Sequence, residues 1–313
     1  MIEWAHDELA KRGMRVTGEP KTVHEKPWAT VSRIPTDDGA TFVKTMIPAL
    51  GHEVAVTALL ARIAPALATP LIAHDTGRRF LLMEDGGERL RAIIERDHDL
   101  RHWRGILPRY AELQIAAMPA VDDLIAAGCP DMRASALPAV FEEIVSDDTL
   151  RTIAAPGDAT PLDLAGLRAL VPRVRAWCDE LAGTVPETIQ HDDLHDGQVF
   201  LRDGHARVLD WGDANLSHPF CSLVVIERSI GYSFDLEPGA PELLQLRDEY
   251  LEPFTALAPR ARIDAAVRLA LVIGRLVRAL TWMRVTSALP ADQREADAVS
   301  GWFALFVEAA ATL

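Results

Sequence analysis

Hydrophobic periodicity changes character once along this chain, near residue 84, and that change limits the folds open to it. Before it, KTVHE (21–25), TVSRIPT (30–36), TFVKTMI (41–47), LIAHD (71–75) and RFLLME (79–84) have the β-branched content and alternation of short strands. Asp37-Asp38-Gly39 reads as a hairpin turn between the second and third, and Thr76-Gly77 as the turn between the last two. One helical stretch, HEVAVTALLARIA (52–64), interrupts the strands. From about Glu88 onward the period is helical, with apolar faces at 99–118, 137–146, 163–183, 241–257, 265–283 and 300–312. Pro172 falls inside one of these, which predicts a kink or a late start there. The pattern predicts an α+β chain of two lobes: a small antiparallel sheet with one helix over residues 1–84, and a mainly helical part over 85–313. MEDGGERL joins them as a hinge, with Gly86 and Gly87 giving backbone freedom.

One stretch breaks the helical half. QHDDLHDGQVFLRDGHARVLDWGD (190–213) crowds His191, Asp193, His195, Asp196 and Asp210 around two tiny strand-like pieces. Such a framework holds charged groups in fixed places, which is what chemistry needs. The bulk composition narrows the chemistry. A net charge of −14 argues against a nucleic-acid partner, which calls for a basic footprint. The acidic surface suits solubility, and it would also attract cationic ligands. Cys129, Cys178 and Cys221 form no CxxC pair, so neither a zinc site nor a disulfide framework is expected, and buried thiols in a reducing cytoplasm fit. MIEWAHDELAKRG lacks an apolar signal core. Arg268, Arg275 and Arg278 interrupt the most apolar helix, which predicts a core helix with one charged stripe and no membrane span.

HDDLHDGQ followed by VLDWGDA resembles the catalytic and metal-binding loops of the aminoglycoside phosphotransferase and choline kinase-like family, whose fold is protein-kinase-like. The usual pattern there is H-G-D-L-H-x-x-N, a short hairpin, then I-D-W or I-D-F. The resemblance spans nearly the whole chain, since the strand-rich and helical parts match the family's two lobes. It implies a Mg²⁺-dependent transfer of the γ-phosphate of ATP or GTP to a hydroxyl of a small molecule. Asp193 is placed to accept the hydroxyl proton, and Asp210 is a hard oxygen ligand for Mg²⁺. Where the family has a metal-ligating Asn this chain has Gln198, which offers the same amide oxygen on a longer stem. The metal site persists with a small shift, or Gln198 marks weakened catalysis. His191 is read as structural, bonded to backbone near the metal loop, and His195 as similar. Asp196 is read as a solvated loop residue. Asp213 is either a second metal contact or an acceptor contact, and Trp211 packs beneath the loop.

On the nucleotide side, Lys44 in TFVKTM and Glu53 in the following helix match the kinase arrangement of a phosphate-binding Lys held by a Glu. Taken alone, they would be an edge-strand charge and a first-turn acid favoured by the helix dipole. The loop HEKPWATV lacks the glycines that cover phosphates in protein kinases. Backbone N–H groups of Ala29 and Thr30, or the Thr30 hydroxyl, are the phosphate contacts expected there. Met83 at the back of the pocket and Glu84 against the purine edge follow from topology. Candidate acceptor contacts are Asp213, Glu227, Arg228 and Trp282, together with Asp235 and Glu237. Carboxylates suit an aminoglycoside; Arg228 and Arg275 equally suit a nucleoside-type antibiotic or a sugar. Three functions stay open: an antibiotic-type O-phosphotransferase, a metabolic kinase for a sugar, amino alcohol or nucleoside, and a nucleotide-binding module with little catalysis.

Overall fold

A computed structural model describes residues 1–146, 150 and 162–313 of the chain. Helix α1 (Ile2–Lys11) leads into strands β1 (Lys21–Lys26), β2 (Ala29–Thr36) and β3 (Gly39–Met46), then α2 (His52–Ile63), β4 (Leu71–Asp75) and β5 (Phe80–Glu84). The strands form one antiparallel sheet in the order β1-β2-β3-β5-β4. The β2–β3 hairpin turns where expected, and Gly39 takes the left-handed φ of 108° that an L side chain resists.

The sequence reading missed α1. Its Ala5 and Leu9, one turn apart, are fully buried against Ile34, Val43, Ala73 and Leu82 on one sheet face. The opposite face puts Ala29, Met46, Leu81 and Met83 against Leu50 and Val54, and Val285 from a late helix joins that cluster. The sheet is thus covered on both faces, by α1 on one and by the Leu50–Val54 segment on the other, where the helical half adds Val285.

The hinge is more constrained than two glycines imply. Glu88–Arg89 (β6) pairs with Val199–Arg202 (β8), and β8 pairs with His205–Val208 (β9). Gly87 has φ 98°, and a Cβ there would lie 2.2 Å from the Leu201 carbonyl oxygen. Gly86 would touch Phe200 at 3.1 Å. Gly87 is thus required by close approach as much as by freedom.

The helical part runs α3 (Leu90–Asp97), α4 (Arg101–Ala117), α5 (Val121–Ala126), α6 (Leu137–Ser146), α7 (Leu164–Leu181), α8 (Leu223–Phe234), α9 (Pro241–Leu251), α10 (Arg260–Ser287) and α11 (Ala296–Ala310). Between α7 and α8, β7 (Thr188–Gln190) pairs with β10 (Asn215–Ser217). Helix α7 continues through Pro172, so there is no late start. The stretch expected to be helical to residue 257 leaves α-geometry at Leu251, and Glu252–Ala256 tightens into a 3₁₀ turn at Pro253, which has no N–H to donate. Helix α10 is the 28-residue spine, and its apolar residues sit in the largest core cluster. The expected charged stripe divides: Arg268 is exposed, whereas Arg278 is buried. Among the described residues, no helix is long and apolar enough to cross a membrane, and Cys129, Cys178 and Cys221 are buried free thiols.

Candidate active site

The loop between β7 and β8 is held from below by hydrogen bonds that leave little freedom. The His191 ring donates through Nε2 to the Leu209 carbonyl at 2.8 Å, and Nδ1 accepts from the Asp193 N–H at 3.3 Å. One buried imidazole therefore ties the Asp193 backbone to the strand end that carries Asp210. Burial lowers its pKa, which keeps it in the neutral form this double role needs. The Tyr110 hydroxyl accepts from the His191 N–H at 3.0 Å, and the Trp211 ring packs 4.8 Å from the His191 ring, wholly buried. Asp192 sits in the left-handed region at φ 62°, a conformation Asp tolerates better than most residues.

Asp196 corrects the sequence reading. It is a buried anchor rather than a solvated loop residue, 2% exposed. Arg91 donates to it at 2.8 Å and Ser233 at 2.8 Å, which joins α3 and α8 to the loop. Burial works against its charge, but Arg91 and Ser233 outweigh burial and hold the carboxyl well below the usual range. His195 lies 3.6 Å from both Asp193 and Asp196, and these carboxylates favour a charged ring. Its Nδ1, however, accepts the Gly197 N–H at 2.9 Å, so that nitrogen carries no hydrogen and Nε2–H faces Asp193.

Beyond the β8–β9 hairpin, Asp210 takes φ 67° and opens the tight turn Trp211–Asp213. Lys44 reaches it from β3 at 2.5 Å and reaches Glu53 from α2 at 2.7 Å. Lys44 and Glu53 are buried, while the Asp210 side chain is 47% exposed. Burial disfavours the ammonium, but the two carboxylates overrule it and raise the Lys44 pKa. Partial desolvation at the cleft pushes Asp210 up, and Lys44 more than reverses it. Gly212 is dictated by packing, since a Cβ would come 3.1 Å from Glu53 Oε2. Gln198 donates its amide N–H to Asp210 Oδ2 at 3.3 Å, which leaves Oε1 as an acceptor beside the carboxylate. A carboxylate and an amide oxygen are the hard donors that Mg²⁺ prefers, with phosphate oxygens and water filling the rest of its shell. Among the described residues no group of three or more His, Cys, Asp or Glu side chains converges as a protein-only cage.

Asp193 faces the same cleft with its side chain 26% exposed. Its partner was not foreseen. Arg278 on α10 donates to Asp193 Oδ1 at 2.6 Å and to Asp213 Oδ2 at 2.6 Å, and lies 3.9 Å from Asp192. Burial would raise the Asp193 carboxyl, but Arg278 and His195 hold it down at about 2. Asp192 accepts from Gln190 Nε2 at 3.1 Å, and burial outweighs Arg278 and Thr281 and pushes it up to about 7. The signal for Arg278 was its position: it shares a helical face with Gly274, Thr281 and Val285, all buried.

The cleft between the halves, about 160 Å³, is lined by Asp193, Gln198, Asp210 and Asp213 on one side and by Trp28 and Trp282 on the other. The structure therefore brings Lys44, Glu53, Asp193, Gln198, Asp210, Asp213 and Trp282 together. Other candidates sit elsewhere. Thr30 lies within β2, paired with Glu25 on one side and Thr45 on the other, so its backbone belongs to the sheet; His24 and Trp28 are what this hairpin presents to the cleft. Met83 is buried beside Leu50 and Val54. The Glu84 N–H donates to the Pro70 carbonyl at 2.9 Å, which leaves its side chain exposed and that donor engaged. Glu227 is held in a two-bond pair by Arg247 at 2.6 and 2.7 Å. Arg228 is exposed and lies over the Trp302 ring at 5.9 Å.

No protein-family model and no curated protein sequence matches this chain. Solved structures do. A choline/ethanolamine kinase family protein from Mesorhizobium loti matches with a TM-score of 0.62 at 13% identity, covering 98% of this chain and 94% of that one. An aminoglycoside 2′-phosphotransferase IIIa solved with GDP gives 0.59 at 14%, covering 99% and 97%. A type I macrolide 2′-phosphotransferase gives 0.53 at 15%, covering 97% and 96%. At these identities the likeness establishes the fold: the chain has the two-lobed, protein-kinase-like α+β architecture that these structures share.

Proposed function

We propose that this chain is a small-molecule O-phosphotransferase that moves the γ-phosphate of ATP or GTP to a hydroxyl of an antibiotic-like or metabolic acceptor. The observation that carries this reading is Lys44 bridging Glu53 and Asp210, with Asp193 across the same cleft. Phosphoryl transfer asks for positioning and charge, not for a covalent intermediate, and this arrangement supplies both.

Lys44 binds nucleotide phosphate and Glu53 keeps its ammonium in place. Asp210 and Gln198 are the residues that would hold Mg²⁺, and the ion would supply neutralisation of charge on the phosphates. Asp193 aligns the acceptor hydroxyl. With its carboxyl held near 2 by Arg278 it is a weak base, so its part is to orient the hydroxyl and take the proton late, once the O–P bond has largely formed. Met83 backs the base pocket, and the segment after Glu84 edges it. The lobes divide between residues 84 and 85, and the buried free thiols suit the reducing cytoplasm.

ADP and GDP release with Mg²⁺ should be measured across aminoglycosides, macrolides, nucleoside antibiotics and simple metabolites. Release that depends on one acceptor class and disappears in Asp193→Ala, with nucleotide binding retained, is the expected result. Turnover at the wild-type rate in Asp193→Ala would refute the assignment. Tight nucleotide binding that Mg²⁺ does not affect, with no acceptor-dependent release, would identify a binding module instead.

A further inference from the structure

The two carboxylates on the acceptor side of the cleft, Asp193 and Asp213, are already paired, and the cation that pairs them belongs to the chain. Arg278 is 4% exposed and donates to each at 2.6 Å. Its guanidinium lies over the Trp282 ring at 5.3 Å and the Trp302 ring at 6.0 Å, so both terminal nitrogens and its face are engaged. Arg284, on the same helix, donates to the carbonyls of Ala49 and Gly212 just behind. Building on the phosphotransferase reading, we propose that Arg278 fills the place where a cationic acceptor's ammonium group would be held, so that the site takes uncharged hydroxyl compounds and excludes amines and quaternary ammonium ions.

An incoming cation could reach Asp193 or Asp213 only by competing with a guanidinium that is buried, two-pronged and flanked by indoles. Removing such a group from its partners exposes an unpaired buried charge, which a solvated ammonium ion does not compensate. Leaving it in place sets like charges side by side. The acidity of the surface attracts cations only at long range and is screened by salt. On the acceptor side the wall is then completed by Trp282 and Trp28, which meet edge to face at 6.2 Å, and the Trp282 ring already has the Arg278 guanidinium over it. Aromatic faces of this kind suit an uncharged ring bearing hydroxyls.

Thermal shift with choline and with kanamycin, in roughly physiological salt to suppress diffuse attraction, tests this by binding rather than turnover. The kinase reading can therefore fail or stand independently, on nucleotide-dependent shift and ADP release. The wild type is expected to show no shift with either cation. Arg278→Gln bares the carboxylates and is expected to gain about 2 °C or more with kanamycin. If Arg278→Gln does not fold, the double variant Asp192→Asn/Arg278→Gln removes one buried carboxylate together with the guanidinium and serves in its place. A wild-type shift that Asp213→Asn abolishes would overturn the proposal. So would a folded Arg278 variant that still ignores both cations.

Discussion

Two buried cations organise the two sides of the cleft, each bridging a pair of carboxylates, and the difference between them is instructive. Lys44 joins Glu53 to Asp210, and Arg278 joins Asp193 to Asp213. Lysine is a compact charge on a flexible stem, and under the proposed function it would keep Glu53 while exchanging Asp210 for a phosphate oxygen. Arginine is a planar fork whose hydrogen bonds point in fixed directions, and here two indoles also hold its plane. One bridge is suited to hand over a partner during a reaction cycle. The other is suited to hold its partners still.

The sharpest way to break this comparison is to remove the lysine. Lys44→Met leaves Glu53, 1% exposed, without its counter-charge. Urea unfolding should show a loss of about 3–5 kcal/mol. Acceptor-dependent ADP release should fall at least ~100-fold. A variant of unchanged stability would mean that Glu53 is protonated in the folded protein and the bridge is not ionic.

Replacing the fork but keeping the charge should matter less. Arg278→Lys can serve Asp193 or Asp213 with a point charge but cannot match both directions. A stability loss of about 1.5–3 kcal/mol is expected, with a rise in acceptor KM larger than the fall in kcat. Equal stability to wild type would show that charge alone, not fork geometry, holds the two loops.

A charge kept out of the core gives a third comparison. His218 is buried beside Phe220, and burial alone lowers its pKa to about 3. Below about pH 6.5 the unfolded chain takes up a proton that the native chain refuses, so stability falls as pH drops from there toward 3. At pH 5 this residue accounts for a loss of about 2 kcal/mol. His218→Gln should flatten the stability profile between pH 7 and 5 by that amount; an unchanged slope would place the acid sensitivity in other groups, such as His52, lowered to about 3 chiefly by burial.

The smallest effect is expected at Gln198. Gln198→Asn should change the Mg²⁺ concentration for half-maximal rate by at most about tenfold, read from rate against Mg²⁺ at saturating nucleotide. A larger loss would show that the longer amide is matched to this loop.

Much of the Lys44 side of the cleft was legible because its parts are local. Lys44 and Glu53 are nine residues apart on a strand and the next helix, and the loops that carry Asp193 and Asp210 flank one short hairpin. Spacing alone sets which groups can meet there. Asp196 was misread because an acid in a polar loop resembles a solvated one until Arg91 and Ser233 arrive from other elements. The Thr30 N–H was offered as a phosphate contact because the pattern of a single strand does not show that it pairs on both sides.

By itself, the sequence determined the order of strands and helices, the hairpin turns and the cluster of acidic groups, since period, turn chemistry and short spacings act within a few residues. Only tertiary structure decided that Arg278, read as one charge in a stripe, would lie between Asp193 and Asp213, 85 and 65 residues away in the chain. The physical reason is that a buried guanidinium is tolerated only where distant loops bring it carboxylates, and no local pattern records that convergence.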